Sequence, residues 1–345
     1  MGILLALIVS FLFPLASHAE VNWDAVSVKK VPLFYPGMTS WEFLTGPDHA
    51  SGANAVSRLE KPCQDCHVKE DRVDLFADDI MKGKLRRKSL EVPFEPEPPQ
   101  GITAFISLNI QTTYDDANFY MRLKWPSPEG VSFKNPSDVS RGFYDRVAVQ
   151  LNGNLRSFSK AGCFMSCHDD VSHMLDAPSA EEVMANPFYA KQRRKDVRLY
   201  AYITRTKGWS NLRSEQELEK LLKTDPIKAG AIIDLWIAGF RGPEVITSDE
   251  SIFYDRIKDS TKNIKVEGAW KDGFYTVTIK RPLTTEDPMD IQLQEGKTFT
   301  VGIAVYDQKN GYRKHHVSFP LSISLGGGNA DVAALKITEG KQQVK

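Results

Sequence analysis

The sequence predicts a mainly β fold: an antiparallel β-sandwich with a helical insertion, preceded by a small irregular and partly helical segment. Three observations carry this. Several stretches alternate apolar and polar residues with a period of two, as Phe119, Met121, Leu123 and Trp125 do, and such alternation marks a strand with one buried face. The strands do not alternate regularly with helices, which argues against a parallel sheet. The strand texture begins at about residue 101, after a proline-rich stretch, whereas residues 20–90 show little periodicity.

At the N-terminus, Ile3 to Leu15 is almost continuously apolar, and Ser17-His18-Ala19 offers small residues where a signal peptidase reads them, before Glu20. No Lys or Arg precedes the run. It is short for a spanning helix, so residues 1–19 are expected to be a cleaved export signal rather than an anchor. The mature chain is expected to be soluble and periplasmic, with no stable membrane span. Within 20–90, Pro32, Pro36, Gly37, Gly46 and Pro47 mark turns. Lys82, Lys84, Arg86, Arg87 and Lys88 form a basic run that reads as a solvated face, or functionally as a docking patch for an acidic partner. In residues 91–100, Pro93, Pro96, Pro98 and Pro99 interleave with Glu91, Glu95 and Glu97, which reads as a stiff linker.

Residues 101–330 form the expected sandwich. Val147, Val149 and Leu151 alternate with polar residues, as do Tyr275, Val277 and Ile279, and Phe299, Val301, Ile303 and Val305. Lys271-Asp272-Gly273 is a turn between strands. An insertion at about 155–245 is expected to cover one end of the sandwich. Its helical stretches are Ser179 to Asp196, Ser214 to Lys223 with Ser214 as N-cap, and Ile227 to Phe240 as a helix or a helix followed by a short strand. The last strand runs from His315 to Leu325. By parity His315 shares the buried face with Val317, Phe319, Leu321 and Ile323, and His316 points the other way. Residues 331–345 read as a tail.

The formal net charge is zero, from 44 Lys+Arg and 44 Asp+Glu, which argues against a nucleic-acid binder. The chemistry lies in the four cysteines. Cys63-Gln64-Asp65-Cys66-His67 is the C-x-x-C-H signature of covalent c-type haem attachment: two thiols for two vinyl groups, and a histidine for the iron. Zinc would need further ligands and is uncommon in an exported protein; a disulfide would leave His67 unexplained. Cys163-Phe164-Met165-Ser166-Cys167-His168 is a second copy with one extra residue between the cysteines. Its rival is a local Cys163–Cys167 disulfide. Two haems c per chain are therefore expected, with His67 and His168 as proximal ligands. His49, the only histidine between the signal and the first motif, is the candidate distal ligand of the first haem, ahead of Met38 and Met81. His315 is the candidate for the second, with His316, His173 and Met174 as alternatives.

The stretch Gly268-Ala269-Trp270-Lys271-Asp272-Gly273-Phe274-Tyr275-Thr276-Val277, together with Lys280-Arg281-Pro282-Leu283, Ile233-Asp234-Leu235-Trp236 and Phe299 to Tyr306, resembles the haem-binding domain of the ethylbenzene dehydrogenase and dimethyl sulfide dehydrogenase γ-subunits. The resemblance covers roughly residues 100–326. It implies a β-sandwich that holds a haem at its end and passes single electrons. It extends to members in which this domain follows a small cytochrome c segment. The dehydrogenase subunits hold their haem without covalent bonds, through methionine and lysine, so no axial residue is carried over from them.

The expected function is a dihaem c-type cytochrome that relays electrons between redox protein partners, such as a periplasmic oxidoreductase or a membrane quinol-oxidising complex. No catalytic triad, phosphate loop or paired-carboxylate site stands out. The alternatives are a haem enzyme with one five-coordinate iron, and a monohaem binding or sensor module with a Cys163–Cys167 disulfide.

Overall fold

The structure, a computed structural model, describes residues 21–35, 44, 46–49, 51–58, 61–69, 72–76, 78–79, 82, 103–128, 145–152, 155–165, 178–191, 213–223, 232–241, 244–253, 256–258, 262–306 and 315–337. The export segment, the linker at 91–100, the basic residues from Lys84 to Lys88, Met38, Met81, Cys167, His168, His173 and Met174 lie outside these residues.

In chain order the strands are β1 (Lys29–Phe34), β2 (Val68–Lys69), β3 (Arg72–Val73), β4 (Phe105–Tyr114), β5 (Asn118–Pro126), β6 (Asp145–Asn152), β7 (Ile233–Arg241), β8 (Glu244–Ile252), β9 (Arg256–Lys258), β10 (Lys265–Lys271), β11 (Phe274–Pro282), β12 (Thr298–Tyr306), β13 (His315–Val317), β14 (Leu321–Leu325) and β15 (Val332–Lys336). β2 and β3 form a separate hairpin. The rest form one sheet in the order β10-β11-β5-β4-β1-β13-β12-β6-β7-β8-β9, with β14 beside β12 and β15, and β15 beside β4. β4 is thus joined to β12 by two routes, through β1 and β13 and through β15 and β14. The two halves of the sheet face each other. Leu108, Phe119, Leu123 and Trp125 from one half pack in one core with Val149, Leu151, Trp236, Val301 and Ile303 from the other. Pairing is antiparallel except at β15, which runs parallel to β14 and β4.

Local chemistry accounts for most of these elements. On β11 the buried residues Tyr275, Val277, Ile279 and Arg281 alternate with less buried neighbours. Asp272 and Gly273 have φ of 51° and 82° and close a two-residue hairpin between Lys271 and Phe274, where positive φ at both positions suits the twist of the strands. Ser214 caps the helix Glu215–Lys223 as expected: Glu217 N–H donates to Ser214 Oγ (3.3 Å), and Ser214 N–H donates to Glu217 Oε2 (2.8 Å). Ser179 and Glu182 form the same capping box on the helix Ala180–Ala185.

The structure corrects several sequence expectations. The stretch 227–240 does not hold a helix among its described residues; Ile233–Arg241 is the nine-residue strand β7. It is buried on both faces. Trp236, Ala238 and Phe240 face the main core, and Ile233, Leu235 and Ile237 face a second cluster outside it. Without a solvent face there is no alternation to read. The helical insertion between β6 and β7 therefore ends before residue 233. Its Leu155 and Phe158 lie on the outer face of the sheet rather than capping an end of the sandwich. β1 precedes the first cysteine motif, yet it pairs with β4 and β13. Val332–Lys336, expected to be tail, closes the sheet as β15.

The expected last strand is two strands separated by a bulge. Val317 faces Ala304 and Leu321 faces Val301, so three residues (318–320) lie opposite two (302–303). The extra residue inverts parity. Ser318 repairs the ladder: its N–H donates to Ile303 O (2.8 Å), and its hydroxyl accepts from Ile303 N–H (3.0 Å). His316 faces Val305, a main-core residue, and His315 faces Tyr306 on the outer cluster. His316 is thus the buried histidine, at 4% exposure, and His315 is half-buried. The expectation that His315 shares a face with Leu321 and Ile323 is overturned.

Candidate haem centre

The first motif folds as one helical turn, Gln64–His67, entered from Cys63. Cys66 N–H and His67 N–H both donate to Cys63 O, at 3.2 and 3.1 Å. Residues three and four apart on a helical turn share a side, so Cys63, Cys66 and His67 are presented together. After His67 the chain enters the β2–β3 hairpin and returns at Asp74, whose N–H donates to His67 O (2.7 Å). His67 Nδ1–H in turn donates to Asp74 O (2.8 Å). That bond selects the tautomer and leaves the Nε2 lone pair for a metal.

His49 ends a short 3-10 turn, Pro47–His49, just ahead of the helix Ser51–Arg58. Its Nδ1–H donates to Leu44 O (2.8 Å), so it too keeps Nε2 as the acceptor nitrogen. The His49 and His67 rings are parallel to within 5°, with centroids 6.1 Å apart. A metal–imidazole bond is about 2 Å. With about 1 Å from nitrogen to ring centre, two imidazoles on opposite sides of one metal have centroids about 6 Å apart. The observed centroid separation is of that size. Burial holds His49 below its ordinary pKa, against the hydrogen bond to Leu44, and the facing His67 acts in the same direction. A neutral imidazole is the form that ligates metal. At Gly52 a Cβ would lie 2.5 Å from His49 Nε2 and 2.6 Å from Cε1, so glycine lets the helix Ser51–Arg58 lie directly against the His49 ring. The sequence reading named His49 but missed Gly52, whose signal was its place three residues after that histidine.

The motif docks on the outer face of the sandwich. Cys63 N–H donates to Lys160 O (3.0 Å), and Gln64 Nε2 donates to Pro320 O (3.3 Å). Cys63, Val68, Val73 and Leu75 pack against the cluster that contains Phe158, Leu235, Tyr306 and Phe319. Cys63 and Cys66 are free thiols rather than a disulfide. Burial pushes the Cys63 thiol up to about 12, whereas a thioether there would bear no charge and incur no such penalty.

Of the second motif, Cys163 lies in the 3-10 turn Gly162–Met165. Its thiol is likewise pushed up to about 12 by burial. A Cβ on Gly302 of β12 would meet Cys163 Sγ at 2.6 Å, so glycine lets this turn lie directly on the sheet. Gly302→Ala is expected to destabilise the fold by about 1–3 kcal/mol through overpacking, measured by urea unfolding. The two motifs are neighbours, because Lys160, which accepts from Cys63 N–H, lies three residues before Cys163. His315 stacks on Tyr306 (centroids 4.6 Å, 22°), and the Arg146 guanidinium lies 4.1 Å over the same Tyr306 ring. His316 Nε2 is engaged with Thr103 O, which leaves it a poor second-site ligand through that nitrogen.

Residues 86–318 match the family model described as ethylbenzene dehydrogenase. Among curated proteins, the chain is 25% identical over 323 residues to "Cytochrome c-552" of Stutzerimonas stutzeri, covering 92% of this chain and 91% of that protein. It is 22% identical over 317 residues to "Cytochrome c-551" of Rhodocyclus tenuis, covering 91% and 99%. Among solved structures, a family 9 carbohydrate-binding module from Caldicellulosiruptor kristjanssonii in complex with glucose aligns over 64% of this chain and 69% of its own, at 9% identity and a TM-score of 0.27. That likeness is too slight to bear on fold or function. Among the described residues no helix is long and apolar enough to cross a membrane.

Proposed function

Since this chain belongs to the ethylbenzene dehydrogenase family and carries a C-x-x-C-H turn beside a facing histidine, we propose that it is a dihaem c-type cytochrome relaying single electrons between redox proteins outside the cytoplasm. The observation that supports this most is the parallel His49–His67 pair, with both Nδ1 atoms tied to backbone carbonyls. Cys63 and Cys66 would hold the first haem covalently, with His67 proximal and His49 distal. Cys163, Cys167 and His168 would hold the second, with His315 distal. Bound haem supplies a reversible one-electron iron couple whose potential follows axial ligation and burial. The carbonyls of Leu44 and Asp74 orient the two imidazoles, and Gly52 lets the following helix pack against the His49 ring. With two histidines held by each iron, a substrate would find no open position, which would suit a carrier. The names of the two cytochrome relatives support haem c and electron transfer. Export to the periplasm rests on the apolar N-terminal run. A periplasmic oxidoreductase and a membrane quinol-oxidising complex are the candidate partners.

Intact mass combined with a pyridine haemochrome assay on the exported protein tests this. Two covalent haems per chain are expected, with one lost on Cys63→Ala and one on Cys163→Ala. A single haem that survives Cys163→Ala would reduce the second motif to a thiol pair and overturn the dihaem reading.

A further inference from the structure

Inside the sandwich, on the face of β7 opposite the docked cysteine motif, three carboxylates converge. Asp234 of β7, Asp249 of β8 and Asp290 are 0%, 4% and 0% exposed. One carboxylate oxygen from each lies within 4.8 Å of the others. In each, Oδ2 is engaged by the protein. Asp234 Oδ2 accepts from Arg281 Nη2 and Ile291 N–H, both at 3.1 Å. Asp249 Oδ2 accepts from Asn263 N–H (2.7 Å). Asp290 Oδ2 accepts from Asn263 Nδ2 (2.7 Å) and lies 3.3 Å from Arg281 Nη2. In each, Oδ1 is buried and has no hydrogen-bond partner.

Two separate deficits meet here. Among the described residues Arg281 is the one cation bonded to the cluster and offsets one of three negative charges, and unpaired buried charge is costly. Three buried acceptor atoms are also unsatisfied, where such atoms are normally paired. Protonation would remove charge yet turn an orphan acceptor into an orphan donor. A small cation removes both deficits together. The donors are all oxygen, which suits calcium, magnesium or manganese rather than thiolate- or imidazole-seeking metals.

We propose that Asp234, Asp249 and Asp290 bind a hard divalent cation, of which calcium is the type, at a structural site separate from the haem motifs. The cation ties β7 and β8 to the loop between β11 and β12, with water completing an oxygen shell. Without it, burial, opposed in part by Arg281, holds Asp234 well above the carboxylate range, and Asp249 rises to about 6, mainly through burial.

The test uses the full, haem-loaded protein and calcium chloride as probe. After EDTA treatment, calcium addition and gel filtration, mass spectrometry of the metal content should find about one calcium per chain. At calcium near 100 times Kd, Tm should exceed its value in EDTA by roughly 5 °C or more. Asp249→Asn should abolish the rise and leave the haem spectrum unchanged; should that variant not accumulate, Asp290→Asn or chelation of the unmodified protein decides. No retained divalent metal, together with the same Tm in EDTA and calcium, overturns the proposal. So does a rise reproduced by sodium chloride at matched ionic strength. Haem count is independent of these readouts, so failure here leaves the electron-transfer reading intact.

Discussion

His49→Ala is expected to convert about half of the low-spin ferric signal to high-spin and to open one iron to carbon monoxide, with two haems per chain still attached. The reason is geometric. His49 is parallel to His67 to within 5°, and both rings are locked by backbone carbonyls. Removing it deletes one axial nitrogen and leaves the thioether residues alone. The midpoint potential of that centre should shift by on the order of 100 mV, a fraction of the ~0.8 V that axial ligation spans. Paramagnetic resonance and carbon monoxide difference spectra read both effects. Gly52→Ala should give a weaker version, because its new methyl group meets His49. An unchanged low-spin spectrum in His49→Ala would sink the assignment and leave His49 a packed loop histidine.

Arg281→Met is expected to lower stability in EDTA by about 3–5 kcal/mol, the usual cost of removing one partner from a buried charge network. Arg281 is fully buried, bonds Asp234 and Asp290, and lies 5.4 Å over the Trp236 ring. Its loss leaves three buried carboxylates facing one another. For a domain of this size the loss lowers Tm by roughly 10 °C. Urea unfolding followed by tryptophan fluorescence measures it. Adding Asp234→Ala to Arg281→Met should cost less than the sum of the two single changes, because both act on one network. A loss below about 1 kcal/mol would mean that the cluster does not constrain the fold.

The two cysteine–histidine motifs were visible in the sequence because each lies within five or six adjacent residues. One helical turn is enough to bring Cys63, Cys66 and His67 to one side. Strands with one wet face, such as β5 and β11, were legible through period-two alternation. β7 was not, because both of its faces are covered, and an apolar run of that kind has no period. Leu44 and Asp74 act through backbone carbonyls, which no side-chain pattern reports. Asp234, set among Ile232, Ile233, Leu235 and Trp236, was the visible hint of a buried polar network, but its partners lie 15 to 57 residues away.

By itself, then, the sequence determined a mainly β scaffold and supplied the side chains on which the haem proposal rests: four thiols and the histidines that follow two of them. Those are properties of residue type and of spacing over a few positions. Tertiary structure alone decided which groups meet. It set His49 parallel to His67, laid Cys163 on Gly302, and through a one-residue bulge at 318–320 buried His316 in place of His315. It also gathered three aspartates around one arginine. Each of these depends on register between strands far apart in the chain, and a shift of one residue moves a side chain to the opposite face of the sheet.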